Sequence, residues 1–248
     1  MTKSRVLIAL VVAASLTVAV AFQAAQKAAG SADPLMAGFY RSTVASVSDA
    51  VDQVTGKRGF MSFDMRPYIP GKVVGRATTA LVRTAPPEKA TPASAVKHSV
   101  EMIEGSQPGE VGVIVMEGSR DVAAIGGLMG TAAKSRGMAG MILDGAVRDL
   151  AELRAMNLPV YARGVSPATA VSRFATVDKN IAVECGGVTV NPGDIIVAGE
   201  DGVVVVPKAR EQEVLKRAQE IDERETKMVP FIKKFRSLSK AIEVFNRI

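Results

Sequence analysis

An adjacent arginine and aspartate, Arg148 and Asp149, are the residues of this 248-residue chain best placed for chemistry. They close the run 142–149, which predicts an apolar strand, a turn at Gly145 and the start of a short helix. Side chains at strand carboxyl ends in layered α/β folds face the ligand crevice. The arginine fork suits a carboxylate or an oxyanion, and the aspartate suits Mg²⁺ or Mn²⁺. Alternatively, Asp149 caps the helix and Arg148 forms a surface salt bridge.

Two consecutive glycines, Gly126 and Gly127, precede a segment rich in small residues that is predicted to be helical. With Leu128 and Met129 they would leave the first N–H groups of that helix uncovered, which predicts a cradle for an anion such as a carboxylate. The alternative is that the glycines serve only a tight turn. The sequence lacks the phosphate-loop pattern Gly-x-x-x-x-Gly-Lys-Ser/Thr, so this is not a nucleotide loop.

A third candidate, Glu225, interrupts an apolar stripe near the carboxyl terminus. The spacing predicts one face of a long helix from residue 208 onward, made of Val214, Ala218, Ile221, Glu225, Met228, Ile232 and Phe235. A carboxylate in such a stripe either finds a partner or lies at a cleft, because desolvating it alone costs several kcal/mol. The alternative is a snorkelling or salt-bridged side chain. Pro230 is expected to kink or interrupt the helix.

Composition excludes several classes of protein and site. The single cysteine, Cys185, permits no internal disulfide and no cysteine-rich zinc site, and the single histidine, His98, permits no histidine cluster. Cys185 is predicted to be a packed core thiol. The net charge of +6 is mild, aromatic residues are 4% and Trp is absent, so nucleic-acid binding is not expected.

The first 21 residues have the pattern of a targeting signal rather than of a folded segment. Lys3 and Arg5 precede a short apolar run that ends in the small residues Ala19 and Ala21. This order predicts a secretory signal peptide over residues 1–21, followed by a tether over 22–34. We therefore expect an exported, periplasmic protein with no stable membrane span after cleavage. An uncleaved N-terminal membrane anchor is the alternative.

The remaining residues, 35–248, are predicted to form one domain in which strands and helices alternate. The pattern indicates an α/β fold in β/β/α layers without a second domain. The expected helices cover 35–54, 95–104, 128–136, 150–156 and 208 onward, and the expected strands cover 73–82, 111–116, 141–143, 159–162, 181–190 and 194–206.

Taken together, these motifs resemble the RraA-like family, which includes the 4-hydroxy-4-methyl-2-oxoglutarate aldolases and is named after a regulator of ribonuclease E activity. The resemblance covers about residues 36–245. It is carried by the stretches 46–50, 74–78, 126–129, 136–149, 159–164, 187–194 and 201–207.

The resemblance implies a swivelling β/β/α-type domain assembled as a homotrimer, or as a hexamer, with active sites between subunits. It also implies a metal-dependent aldolase or oxaloacetate decarboxylase that acts on a small 2-oxo acid through a pyruvate enolate. Asp149 would bind the metal directly, Mg²⁺ or alternatively Mn²⁺, and Arg148 would hold pyruvate and its enolate. Residues 126–129 would form the substrate cradle. Glu225 would reach a neighbouring subunit's metal through water.

One position departs from the pattern. Many aldolase members carry Asp or Glu where this chain has Gly127, 22 positions before the metal aspartate. Loss of such a supporting carboxylate typically costs about 10–100-fold in metal affinity or activity. The competing interpretation is therefore a non-catalytic trimeric binding or regulatory protein of the same family.

Overall fold

The computed structural model describes residues 33–246. The predicted signal peptide, 1–21, and all but the end of the predicted tether, 22–34, lie outside the described residues. The chain divides into two units, 1–37 and 38–248. Described residues 33–37 of the first unit begin a helix, and the second unit contains every described strand and the candidate site. No helix within residues 33–246 is long and apolar enough to cross a membrane.

Three of the described helices begin after a Thr or Ser whose side chain caps the first turn. Helix α2 starts after Thr43, whose hydroxyl accepts a hydrogen bond from the Ser46 N–H at 3.0 Å, and it ends at Gly56 with φ +67°. The described helices are α1 (Pro34–Arg41), α2 (Val44–Thr55), α3 (Pro92–Gly105), α4 (Gly127–Ser135), α5 (Leu150–Ala155), α6 (Glu211–Phe235) and α7 (Leu238–Phe245), with a 3₁₀ turn at Lys208–Arg210.

The strands form one branched mixed sheet and a separate hairpin. They are β1 (Arg66–Ile69), β2 (Val73–Thr84), β3 (Val111–Glu117), β4 (Ala123–Ile125), β5 (Gly140–Val147), β6 (Val160–Val165), β7 (Phe174–Lys179), β8 (Val183–Cys185), β9 (Val188–Val190), β10 (Ile195–Gly199) and β11 (Gly202–Val206). The main sheet runs β1-β6-β5-β3-β2-β10-β11, with β4 added beside β5 and β7 beside β2.

Strand direction divides the main sheet into two parts. Neighbours β2, β3, β5 and β6 are parallel, as are β4 and β5, whereas β1, β7, β10 and β11 pair antiparallel. The β8–β9 hairpin turns at Gly186 and Gly187, whose φ values of +62° and +77° suit a tight turn. The predicted mixed α/β single domain is confirmed by this architecture.

Strand β5 lies in the middle of the core and is buried along its whole length. Met141 and Leu143 face one hydrophobic cluster, which includes residues of α3, α4 and α5, while Ile142 faces a second cluster with Tyr161 and Cys185. A strand covered on both faces needs a continuous apolar run, and residues 140–143 supply it. Strand β5 is therefore a rigid support for the residues that follow it.

The turn expected at Gly145 is wrong, because strand β5 continues through this residue to Val147. A Cβ at position 145 would lie 2.5 Å from Met116 Cγ and 3.0 Å from Met116 Cβ. Glycine therefore allows close packing inside the sheet rather than a change of direction.

Two other expectations also change, whereas the strand-rich segments predicted over 181–190 and 194–206 agree with the two hairpins found there. The helix predicted over 35–54 is two helices that break at Ser42 and Thr43. Pro230 does not end α6, which continues from Glu211 to Phe235. Strands β1, β4 and β7 are short or weakly apolar, and the sequence pattern did not predict them.

The buried thiol of Cys185 confirms its prediction as a core residue. Its side chain lies in the second hydrophobic cluster and its relative exposure is 0%. Burial raises its pKa far above the ordinary range, and the nearby charge of Asp144 acts in the same direction. Cys185 is therefore a poor nucleophile in the folded protein.

Candidate functional site

Two loops meet at the carboxyl ends of the parallel strands β4 and β5. The strands pair Ala123 with Ala146 and Ile125 with Val147, so that the chain leaves both strands at the same edge. Just beyond this edge, the Arg148 N–H donates to the Ile125 carbonyl at 3.2 Å. The structure thus brings together the two glycines, Arg148 and Asp149, which the sequence singled out separately.

The carboxylate of Asp149 connects the two loops directly. Its Oδ2 accepts a hydrogen bond of 2.8 Å from the Gly127 N–H, the first amide of α4. Asp149 occupies the N-cap position of α5, but its side chain makes no capping bond to that helix. The carboxylate instead lies at the N-terminus of α4, where the helix dipole favours negative charge.

The predicted anion cradle is therefore partly filled by the protein itself. The Gly127 N–H is bonded to Asp149, so the expectation that all the first amides are uncovered is wrong. Within residues 33–246, the Leu128 and Met129 N–H groups have no acceptor. Leu128 projects its side chain into solvent, 89% exposed, and Met129 packs against the first hydrophobic cluster. Two amides remain available to a ligand carboxylate or enolate oxygen.

Gly126 is required by close approach rather than by an unusual backbone. Its φ of −138° and ψ of −163° are extended values that any residue adopts. A Cβ there would overlap Asp149 Oδ2 and would lie 2.8 Å from Arg148 Nε. Gly126 thus makes room for the two charged side chains. The alternative interpretation, a glycine needed only for a tight turn, does not apply to Gly126.

Arg148 and Asp149 form a loose, half-exposed ion pair. Arg148 Nε lies 3.6 Å from Asp149 Oδ2, and the two side chains are 40% and 39% exposed. Arg148 therefore does form a partly exposed salt bridge, as the alternative interpretation expected, but its partner is the adjacent Asp149. Such an exposed pair contributes little stability. Its groups stay accessible to a ligand, because neither is enclosed by other side chains.

Glu225 lies on the exposed surface of α6, between the buried residues Ile221 and Met228. The apolar stripe is buried as far as Met228, whereas Phe235 is 46% exposed. Helix α6 packs against α2 and α7 of the same chain. The role expected for Glu225 belongs to a neighbouring subunit's site and stays a prediction.

The donor set at Asp149 fits a hard divalent cation of the Mg²⁺ kind. Within residues 33–246, no hydrogen bond reaches Asp149 Oδ1, so this oxygen remains open to a cation. Mg²⁺ is usually bound by one or two carboxylates and completes its coordination with water and substrate. The same described residues contain no group of three or more His, Cys, Asp or Glu that could hold a metal. A cation held at Asp149 would therefore need further ligands from outside these described residues.

Sequence reasoning missed a buried ionic cluster on the other face of β5. Arg163 Nε donates to Asp144 Oδ1 at 2.9 Å, and its guanidinium also contacts Asp64. The second oxygen of Asp144 accepts from the Gly186 N–H at 2.7 Å. Only spacing along paired strands could have indicated this contact, because Asp144 and Arg163 occupy neighbouring strands, β5 and β6.

The charges in this cluster stabilise one another. A hydrogen bond with Ser62 and the positive charge of Arg163 lower the pKa of Asp64. Burial opposes the charged form of Arg163, but the two aspartates outweigh it and raise the Arg163 pKa. A cavity of about 540 Å³ lies beside Asp144 and is also lined by Glu117, Arg120 and Glu184.

Known proteins resemble this chain in both sequence and structure. A protein of Halalkalibacterium halodurans named "Putative 4-hydroxy-4-methyl-2-oxoglutarate aldolase" is 41% identical over 118 residues, which are 48% of this chain and 55% of that protein. This chain thus spans about half the length of that relative.

Two solved structures are similar over most of the chain. An uncharacterized protein from Pseudomonas syringae pv. tomato has a TM-score of 0.73 and 27% identity, covering 85% of this chain and 97% of its own. Streptomyces coelicolor RraAS2, described as an unusual member of the RNase ES inhibitor RraA protein family, has a TM-score of 0.68 and 27% identity, covering 79% and 95%. Residues 44–205 match the sequence profile of the RraA-like family, described as Aldolase/RraA. The chain therefore belongs to the RraA-like family.

Proposed function

We propose that this protein is a divalent-metal-dependent lyase that breaks a carbon–carbon bond of a small 2-oxo acid and releases a pyruvate enolate. The observation that carries the proposal is the meeting of Arg148, the Asp149 carboxylate and two uncommitted helix amides at one sheet edge. The match to a family described as Aldolase/RraA supports it.

The two free amides and Arg148 bind the oxo acid end of the substrate. Leu128 N–H and Met129 N–H can donate to the substrate carboxylate at the positive end of α4. The Arg148 guanidinium can donate to the 2-oxo oxygen, where negative charge grows as the bond breaks. Donors that are in place before reaction favour the enolate over the neutral ketone.

The bond cleavage follows from this placement of charge. In a 4-hydroxy-2-oxo acid, the 4-hydroxyl gives its proton to solvent and the C3–C4 bond breaks. C4 leaves as the carbonyl carbon of the second product, and the electron pair of the broken bond becomes the enolate of pyruvate. In oxaloacetate, the electron pair left by departing CO₂ forms the same enolate. A proton then adds to C3 and gives pyruvate. A divalent cation on Asp149, with Mg²⁺ or Mn²⁺ as candidates, would supply Lewis-acid stabilisation of the 2-oxo oxygen and the carboxylate.

The first test is the release of pyruvate from oxaloacetate by the purified full chain. We expect turnover that requires added Mg²⁺, stops with EDTA and falls by at least about 100-fold in Asp149→Asn. The metal-only rate must be subtracted, because divalent cations decarboxylate oxaloacetate in solution. Turnover would justify a screen of 4-hydroxy-2-oxo acids.

The alternative is a non-catalytic binding or regulatory protein, which the likeness to Streptomyces coelicolor RraAS2 favours. Absence of metal-dependent turnover on oxaloacetate and on a 4-hydroxy-2-oxo acid panel, together with capture of a protein partner, would support it.

We further propose that the protein is exported and works as a homotrimer, or as a hexamer, with Glu225 completing a neighbour's site. The exposed position of Glu225 on α6 is compatible with contact to another subunit. Native mass spectrometry measures the number of subunits. Mixing Asp149→Asn and Glu225→Gln subunits tests the shared site, since mixed assemblies would regain activity if each subunit supplies one residue.

A further inference from the structure

The side chain of Glu152 lies over Gly127, the first residue of α4. A Cβ on Gly127 would overlap Glu152 Oε2 and would lie 2.9 Å from Glu152 Cδ. Gly127 is not among the described residues with positive φ, so its backbone conformation does not favour glycine. The Glu152 carboxylate therefore occupies the space that a side chain at position 127 would need.

Two carboxylates thus converge on the same residue. Asp149 Oδ2 accepts the Gly127 N–H at 2.8 Å, while the Glu152 carboxylate covers the side of Gly127 where a Cβ would be. Glu152 lies in the first turn of α5 and follows Asp149, the N-cap residue of that helix, by three residues. Within residues 33–246, no donor bonds to the Glu152 carboxylate and no cation pairs with it.

Two carboxylates that lie close together repel each other. A cation bound near both attracts each of them, so the electrostatic energy of the group becomes favourable. Arg148 pairs with Asp149 and not with Glu152, so it neutralises only one of the two carboxylates. The arrangement therefore suits a second positive charge beside Asp149.

We infer that Glu152 is a positioning residue for the divalent cation. The absence of a side chain at Gly127 leaves the space through which the Glu152 carboxylate can approach that cation. This inference rests on the proposed function. Glu152 adds a second negative charge and two acceptor oxygens next to Gly127, the residue whose N–H bonds to the Asp149 carboxylate. The two residues depend on each other, because a side chain at position 127 would displace the Glu152 carboxylate.

The test measures Mn²⁺ binding to the full chain by calorimetry in 0.5 M KCl, where long-range charge effects are screened. We expect Glu152→Gln to weaken binding by about 10–100-fold, as losses of supporting carboxylates do. Gly127→Ala should weaken binding similarly, because the new methyl group displaces the carboxylate without removing its charge. The control is Glu88→Gln, an exposed carboxylate in the loop before α3, which should bind Mn²⁺ like the unmodified protein.

A second measurement separates positioning from folding. Glu152 is exposed and ends in a flexible side chain, so thermal unfolding of Glu152→Gln and Gly127→Ala should match that of the unmodified protein. The double variant Gly127→Asp with Glu152→Ala returns a carboxylate to the same place from α4. It should bind Mn²⁺ at least about 5-fold more tightly than Glu152→Ala alone, and no such gain would contradict the inference.

Asp149→Asn distinguishes failure of the inference from failure of the proposed function. If Asp149→Asn loses Mn²⁺ binding while Glu152→Gln binds normally, the inference is overturned and the proposed function stands. If the unmodified chain does not bind Mn²⁺, or Asp149→Asn binds equally well, both are overturned. Loss of binding in Asp149→Asn, Glu152→Gln and Gly127→Ala, with unchanged unfolding, supports both.

Discussion

The Asp149 carboxylate and the Gly127 N–H, 22 residues apart in sequence, are joined by a hydrogen bond of 2.8 Å. This bond links the end of β5 to the start of α4, and the Arg148 N–H bond to the Ile125 carbonyl reinforces the link. The loops after β4 and β5 consequently act as one unit. A small change in either loop should alter the position of the Asp149 carboxylate.

Gly126→Ala should lower the proposed activity with little effect on folding. The new methyl group would displace the half-exposed side chains of Asp149 and Arg148, which can move into solvent. We expect pyruvate release to fall by at least about 10-fold while the free energy of unfolding changes by less than about 1 kcal/mol. Gly105→Ala is the matched control, because a Cβ there meets open space. Equal activity of the two variants would show that close approach at Gly126 is unimportant.

Arg163→Met should destabilise the fold strongly. The Arg163 and Asp144 side chains are 5% and 10% exposed, so the substitution leaves a nearly buried carboxylate whose remaining cation is the exposed Arg120 at 3.5 Å. Removing one partner of a buried pair costs about 3–5 kcal/mol, and urea unfolding of the variant would measure this loss.

Two comparisons isolate that effect. Arg163→Met combined with Asp144→Asn should recover part of the lost stability, because no uncompensated charge remains. Arg210→Met removes an exposed pair with Glu213 and should leave the urea midpoint unchanged. A midpoint equally low in the double variant would refute the charge explanation.

Tyr161 should make the stability sensitive to alkaline pH. Its ring is buried and its hydroxyl donates to the Gly71 carbonyl at 2.8 Å. Burial, together with the charge of Glu200, raises its pKa from 10.0 to about 12. Below pH 10 the phenol is protonated in both folded and unfolded chains. Between pH 10 and 12 the unfolded chain loses the proton first, so stability falls as pH rises.

The expected loss across this window is about 2–3 kcal/mol. Tyr161→Phe provides the reference, because phenylalanine does not titrate. The unfolding free energy of the unmodified protein minus that of Tyr161→Phe should fall by this amount from pH 10 to pH 12, and the difference in phenolate absorbance should appear near pH 12. A phenolate signal for Tyr161 near pH 10 would argue against its burial in solution.

Export should yield a chain that begins at Phe22. The small residues Ala19 and Ala21 are those that a signal peptidase requires before its cleavage point. Intact mass spectrometry of the protein from the periplasmic fraction should give the mass of residues 22–248. Replacing both alanines by leucine should cause the precursor to accumulate. A full-length chain in the membrane fraction would instead support an uncleaved anchor.

Two of the three sequence motifs could be recognised because each lies at the boundary of a regular element. Arg148 and Asp149 follow a strand buried on both faces, and the two glycines open a helix. Such boundaries are visible as changes in hydrophobic pattern. The contact between the two loops could not be predicted from the sequence, because β4 has only three residues and gives no periodic hydrophobic pattern.

The contacts of Glu152 and of the Asp144–Arg163 pair could not be predicted from the sequence. A glutamate in the first turn of a helix is common, since it favours the helix dipole, and nothing local indicates that Glu152 covers Gly127. The pair Asp144 and Arg163 depends on the register between β5 and β6 and on a glycine turn in the distant β8–β9 hairpin. These contacts are tertiary, so only the folded chain displays them.

The backbone of Asp149 is left-handed, with φ +56° and ψ +43°. Aspartate tolerates this conformation, and asparagine tolerates it at least as well. Asparagine can also accept the hydrogen bond from Gly127, so the substitution would preserve the fold while deleting the negative charge. Under the proposed function, this single substitution would end the metal-dependent reaction without any trace in the architecture. Overall likeness between two members is then a poor guide to whether both are enzymes, and the residue at this one position is a better one.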